Sequence, residues 1–219
     1  MEDRREKELL ALVDGLRRQL AMVDPRALAE RCGVEFDAET SEFEISVFGH
    51  AFVVPYPSFV ARDLAVDHHE GSPWLQALLM YYFRMADGAP LEGTWRSLRE
   101  LPGGLMYERA FQGYSGDKLA RAFGNDVELL ARAAKLIKGT PISLGDSGYC
   151  FWALPRVPLG LAYWVGDEEV DAAAKVLFDS SAVHYLPIDA LAALGGRLCN
   201  ILIKTAGLPL DSRPDETAL

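Results

Sequence analysis

The feature that most constrains this chain is a change of hydrophobic period at Gly33. Before it, Leu9, Leu10, Val13, Leu16, Leu20 and Val23 recur at three- and four-residue steps, the spacing of one face of an α-helix. This predicts a helix over about Glu6 to Met22. A second helix follows at once, with Asp24 as cap, Pro25 in the first helical position and Gly33 as its stop. Beyond Gly33, Phe43, Ile45 and Val47 alternate with Glu42, Glu44 and Ser46, the period of a half-buried strand. Gly49-His50 then turns the chain into Ala51-Phe52-Val53-Val54, a β-hairpin that Pro55 and Pro57 end because neither can donate to a ladder.

The remaining elements also come in blocks. Ser72-Pro73 caps and opens a helix, Trp74 to Phe83, that is apolar on nearly every side and closes near Asp87-Gly88, which makes it the central buried helix. A short strand at Thr94 to Leu98 and the loop Pro102-Gly103-Gly104 precede helices near Lys118 to Phe123 and Val127 to Ile137, and Gly139-Thr140-Pro141 breaks the pattern. Strand-like runs follow at Tyr149 to Leu154, Leu159 to Val165 and Lys175 to Phe178. A last helix carries Leu191, Leu194, Leu198, Ile201 and Leu202 on one face, weakened by Gly195-Gly196. Strands grouped rather than alternating with helices favour an α+β fold over a doubly wound parallel sheet. The expectation is a single domain with a mixed or antiparallel sheet, an N-terminal helical pair, a central buried helix and a C-terminal helix. Residues 1–34 would pack on the core as a helical segment, 35–208 would form the α+β domain, and 209–219 a disordered tail.

Charge narrows the function classes. The chain carries 22 Lys and Arg against 32 Asp and Glu, a formal net charge of −10, which opposes binding to nucleic acid or to an anionic membrane surface. Cys32, Cys150 and Cys199 are odd in number and far apart, which suits a reducing compartment and implies no disulfide framework. The N-terminus is charged and no apolar run is long enough to span a bilayer, so the expectation is a soluble cytoplasmic protein.

Short motifs add little. Gly145-Asp146-Ser147-Gly148 matches the tetrapeptide around a protease nucleophile, with His50 upstream, but the helix-rich context favours a tight turn before a strand. His68-His69-Glu70 invites a metal, yet adjacent histidines diverge on a helix or a strand, and a turn before the Ser72 cap is the simpler account. Three scattered cysteines fall short of the usual four ligands of an iron–sulfur cluster.

Two segments hold more chemistry. Gly93 to Tyr107 places Trp95, Arg96, Arg99, Glu100 and Tyr107 around a glycine turn, residue types that clamp a planar anion through guanidinium forks and aromatic faces. The plainer alternative is a surface pair of Arg99 with Glu100 and a buried Trp anchor. Leu177 to Pro187 sets Asp179, His184 and Tyr185 at the end of a strand, where His184 would ligate a metal, including tetrapyrrole iron or cobalt, or act as a general base oriented by Asp179. Against this, Asp179 and the serines would cap local structure while His184 satisfies a backbone carbonyl.

These segments, with Leu154-Pro155-Arg156-Val157-Pro158-Leu159 and Gly166-Asp167-Glu168-Glu169, resemble the domain-of-unknown-function family numbered 3786, from the first helices to about Leu202. Its most specific stretches here are Trp95 to Gly104 and Leu177 to Pro187. The resemblance implies membership of a family found mostly in anaerobic bacteria and archaea, some of whose members carry a cysteine-rich iron–sulfur segment like that of corrinoid proteins. It implies service to a redox or corrinoid-type cofactor system, and it supplies no catalytic residues.

The resulting expectation is an accessory protein that binds a small-molecule or cofactor ligand, a corrinoid or haem being the tetrapyrrole candidates, between the Trp95–Tyr107 loop and the Asp179–Tyr185 turn. Its partner would be an iron–sulfur or corrinoid protein. The alternatives are a transferase or hydrolase using His184 as general base with Arg99 stabilising developing charge, and an interaction module for a redox partner. An exposed stripe of Leu9, Val13, Leu16 and Leu20 would favour the module.

Overall fold

A computed structural model describes residues 2–65 and 69–210, with the side chains of residues 2–8 outside that description. His68 and the tail from residue 211 lie outside the described residues. Helix α1 (Glu2–Leu20) leads into α2 (Pro25–Cys32), where the Asp24 carboxylate accepts the Arg26 N–H and Gly33 closes the helix at φ 65°, a left-handed conformation that glycine adopts without strain. Strands β1 (Glu35–Asp37), β2 (Glu42–Val47), β3 (His50–Pro55) and β4 (Arg62–Asp63) form an antiparallel sheet in chain order. The hairpin turn is Phe48-Gly49, one residue earlier than the sequence suggests. Both residues have positive φ, 50° and 76°, as a two-residue hairpin turn requires, so His50 is released to open β3.

Helix α3 (Pro73–Met85) is the central helix. Ser72 Oγ accepts the Leu75 N–H, Pro73 starts the first turn, and eight of its thirteen residues are buried. Phe83 meets Phe43 at 5.0 Å and Phe59 at 5.5 Å between ring centroids, fastening the helix to the first sheet.

The second sheet contains β5 (Trp95–Ser97), β6 (Thr140–Ile142), β7 (Ser147–Leu154), β8 (Val157–Trp164) and β9 (Ala173–Asp179), in the order β5-β9-β8-β7-β6 and antiparallel throughout. There are thus two antiparallel sheets where the sequence suggested one. The Phe48 N–H donates to Ala153 O at 3.1 Å and joins the first hairpin's turn to β7. Strand β6 runs through the predicted break at Thr140-Pro141, because a proline is tolerated on a sheet edge. Helices α4 (Glu108–Tyr114), α5 (Gly116–Phe123) and α6 (Val127–Leu136) precede it, and α7 (Ile188–Thr205) closes the chain. The glycine pair of α7 is a packing device. A Cβ on Gly195 would stand 2.7 Å from the Phe111 ring, and one on Gly196 would stand 2.8 Å from that of Tyr114, so both aromatics of α4 seat directly on the α7 backbone.

One hydrophobic cluster spans both sheets and the helices, giving a single α+β domain. The stripe on α1 belongs to it. Val13 and Leu20 are fully or almost fully buried and Leu9 and Leu16 are partly so, while Arg17 donates to Gln76 Oε1 at 2.8 Å and to Phe59 O at 3.3 Å. No helix among the described residues is long and apolar enough to cross a membrane.

Candidate functional site

The two segments singled out in the sequence do meet, because β5 pairs with β9 and Trp95 stands opposite Asp179. They meet as a hydrogen-bonded ladder. The Trp95 indole packs over β8, 3.0 Å from where Gly160 would carry a Cβ. Arg96 pairs with Glu100 at 3.6 Å on the surface, and the Glu100 carboxylate accepts both the N–H and the hydroxyl of Ser97, closing the turn Leu98–Glu100. The Ser97 hydroxyl bond is the main reason that the Glu100 carboxyl lies below its ordinary pKa, and its ion pair is with Arg96 rather than Arg99. The Arg99 amide donates to Glu108 Oε2 at 3.1 Å, and Tyr107 is partly exposed where α4 begins.

Asp179 is not the orienting partner of His184. It is only 2 % exposed and accepts from Ser181 N and Oγ at 3.0 and 2.6 Å, Glu92 N at 3.1 Å and Gly93 N at 2.7 Å. Burial pushes its pKa up, and these bonds outweigh that and lower it. His184 instead sends Nδ1 to Asp87 Oδ2 at 2.7 Å, a pair half open to solvent. Tyr185 is fully buried, stacked on Tyr82 at 5.8 Å, with its hydroxyl donating to Ala89 O. None of the eight predicted residues lines the cleft at the start of α3.

That cleft has a volume of about 480 Å³ and opens between the β2–β3 hairpin, β4, the start of α3 and α7. Its chemistry comes from His50, Asp63, His69, Glu70, Trp74 and Arg197, with Phe48, Phe52 and Ile201 as apolar wall. Pairing of β3 with β4 sets Asp63 opposite Phe52, and its carboxylate meets His50 Nε2 at 2.7 Å while its other oxygen accepts the Ala65 N–H. A carboxylate only accepts, so Nε2 carries a proton. Across the cleft the Arg197 guanidinium carbon stands 4.5 Å from the centre of the Trp74 ring, a cation–π stack. Gln76 pins the connecting segment. Its amide donates to Ala61 O at 2.9 Å and its carbonyl accepts the Ala61 N–H at 3.0 Å, holding the stretch that leads to Asp63.

This arrangement orients an imidazole on one side of the cleft and stacks a guanidinium on an indole on the other. No group of three or more His, Cys, Asp or Glu side chains among the described residues is placed to hold a metal ion. Sequence spacing gives no sign of Asp63 or Arg197, since β4 is two residues long and Arg197 lies 123 positions beyond Trp74. Ser147, the serine of the protease-like tetrapeptide, opens β7 and donates to the Tyr149 hydroxyl at 3.2 Å, as a turn before a strand would have it.

The family described as Domain of unknown function (DUF3786) matches residues 24–201, from the cap of α2 into α7. Neither the curated proteins nor the solved structures give a match.

Proposed function

The chain belongs to the DUF3786 family, and we propose that it is a ligand-binding accessory protein whose cleft at His50 takes a planar, anionic small molecule, with a metal tetrapyrrole as the leading class. The observation that carries this is the carboxylate-held His50 facing a cleft of about 480 Å³ that also contains the Arg197–Trp74 stack. The volume lies within the range of about 300–1,000 Å³ usual for small-molecule sites. Imidazoles that ligate metals characteristically give their other N–H to a carboxylate, as His50 does to Asp63. Phe48, Phe52 and Trp74 supply apolar and stacking surface, and Arg197 supplies the charge for a peripheral carboxylate. A bound haem or corrinoid would contribute the redox or group-carrying chemistry of its metal. The physiological partner in this reading is an iron–sulfur or corrinoid protein that exchanges the ligand.

The test is an anaerobic absorbance titration of the full chain with haem and with cobalamin. A saturable spectral change, altered in band position by His50→Ala and weakened by Arg197→Ala, supports the proposal. A spectrum that stays the sum of its components, or binding indifferent to both substitutions, discards it.

A second reading is favoured by the same geometry. A carboxylate-held imidazole is also a general base, and His184 with Asp87 repeats the arrangement at 2.7 Å. In this reading the nucleophile is a water activated by the imidazole and the reaction a hydrolysis, with Ser72 serving as the cap of α3. Turnover of an ester or phosphoester panel that survives both His50→Ala and His184→Ala would rule it out. The interaction-module reading loses its main support, because the α1 stripe is packed into the core.

A further inference from the structure

Two arginines at the opposite end of α3 carry buried donors with nowhere to go. Arg31, in the last turn of α2, and Arg156, in the turn between β7 and β8, each have an Nε sealed from solvent with no acceptor among the described residues. A buried donor left unpaired is costly, and such groups ordinarily find protein, water or an ion. In a chain with 32 acidic against 22 basic residues, carboxylate partners are plentiful, yet neither arginine enters an ion pair among the described residues.

The two lie on neighbouring segments, against Gly33 and Gly88. The Arg156 side chain lies against Gly33, its Nε 2.5 Å from where a Cβ would stand, and Gly33 is two residues past Arg31. Arg31 Cα and Cγ lie 3.8 and 3.9 Å from the corresponding position on Gly88. Gly88 adjoins Asp87, whose two oxygens are engaged by His184 at 2.7 Å and the Ala89 N–H at 2.9 Å. Tyr82 and Cys32 also adjoin the two arginines. Tyr82 donates to Cys32 O at 2.6 Å and accepts the Arg156 N–H at 3.1 Å, and burial pushes the Cys32 thiol up to about 12, with Arg31 opposing. The patch holds two guanidinium groups and the Asp87 carboxylate beside an imidazole, with both arginine Nε donors unpaired.

We propose that Arg31 and Arg156 form an oxyanion-binding site, for a phosphate or carboxylate group of a small ligand, next to the His184–Asp87 pair. The site lies beyond the C-terminal end of α3, whereas the His50 cleft lies at its N-terminal end. The thirteen residues of α3 put roughly 20 Å between them. It does not depend on the ligand proposed for the cleft.

The experiment uses the full chain labelled with ¹⁵N and follows arginine Nε–H resonances during titration with inorganic phosphate and, separately, succinate at constant ionic strength. Two resonances, identified by their disappearance in Arg31→Gln and Arg156→Gln, are expected to shift saturably. Each substitution should weaken binding by about tenfold or more. Arg31→Lys and Arg156→Lys keep the charge should the Gln variants fail to fold, and they too should weaken binding because lysine lacks the planar fork. His50→Ala should leave the titration unchanged. Response to phosphate alone identifies a phosphoryl group as the ligand's anion, and response to succinate alone identifies a carboxylate. Absence of a saturable shift with either ion, or affinity unaltered in the arginine variants, overturns the proposal.

Discussion

Asp179→Asn tests the claim that Asp179 is an anchor rather than a proton-transfer partner. The side chain is almost completely buried and takes four donors, three on Oδ1 and the Gly93 N–H on Oδ2. The amide is isosteric, but its NH₂ must face the Gly93 N–H, so that bond, worth about 1.5–3 kcal/mol to a charged acceptor, is lost. The three bonds to Oδ1 survive as neutral ones at roughly half their charged strength. Removing the charge relieves some desolvation, which brings the net loss to about 2–4 kcal/mol and the melting temperature down by about 5–15 °C. Urea unfolding across a pH series is the assay. Because the folded pKa is depressed below the unfolded value of about 3.9, the carboxylate's contribution is fully present above that value and is lost as the pH falls through the folded pKa. The gap between wild type and Asp179→Asn should therefore hold steady from neutral pH to about 5 and close at lower pH. Equal stability at pH 7, or a gap that widens toward acid, would refute the anchoring argument.

Gln76→Leu should cost about 1–3 kcal/mol in urea unfolding. It orphans the buried Ala61 N–H, while Ala61 O keeps the Gly71 N–H and the leucine gains some apolar burial. Gly195→Ala should lower stability by about 1–2 kcal/mol despite the better helix propensity of alanine, because the new methyl meets the Phe111 ring at 2.7 Å. Gly15→Ala, with nothing within 4 Å, should raise it by up to about 1 kcal/mol; thermal melts of the two side by side decide both. If His50 ligates a tetrapyrrole metal, Asp63→Asn should weaken binding by about 10–100-fold in the absorbance titration, since the ring loses the partner that fixes its tautomer.

What the sequence made legible was local. Asp24, Pro25 and Gly33 bracket α2, and Ser72-Pro73 opens α3, because capping and left-handed closure depend on a few adjacent residues. The β2–β3 alternation is likewise a short-range signal. Short edge elements were not legible. Strands β1 and β4 are three and two residues long, and β6 contains a proline, so each exists only because a longer partner strand holds it. Composition also drew attention to the wrong imidazole environment. Asp179 and His184 are five positions apart, but Asp179 is drawn inward by the backbone of residues 92 and 93, and the imidazole turns to Asp87, 97 positions upstream.

The same logic locates the cleft. A histidine beside a turn has no assigned role in a sequence, and His50 acquires one only when the tight Phe48-Gly49 turn places it first in β3 and the β3–β4 pairing brings Asp63 alongside. Gln76 then matters as much as either, since it fixes Ala61, two residues before Asp63, to a buried face of α3. The other wall is set independently by α7, whose close seating on α4 through Gly195 and Gly196 fixes the helix that carries Arg197. Both walls are thus held by elements with their own buried anchors, which is the condition for a preformed site rather than one that assembles around its ligand. If the cleft takes the proposed ligand, walls anchored in this way leave little ordering cost between contact and affinity.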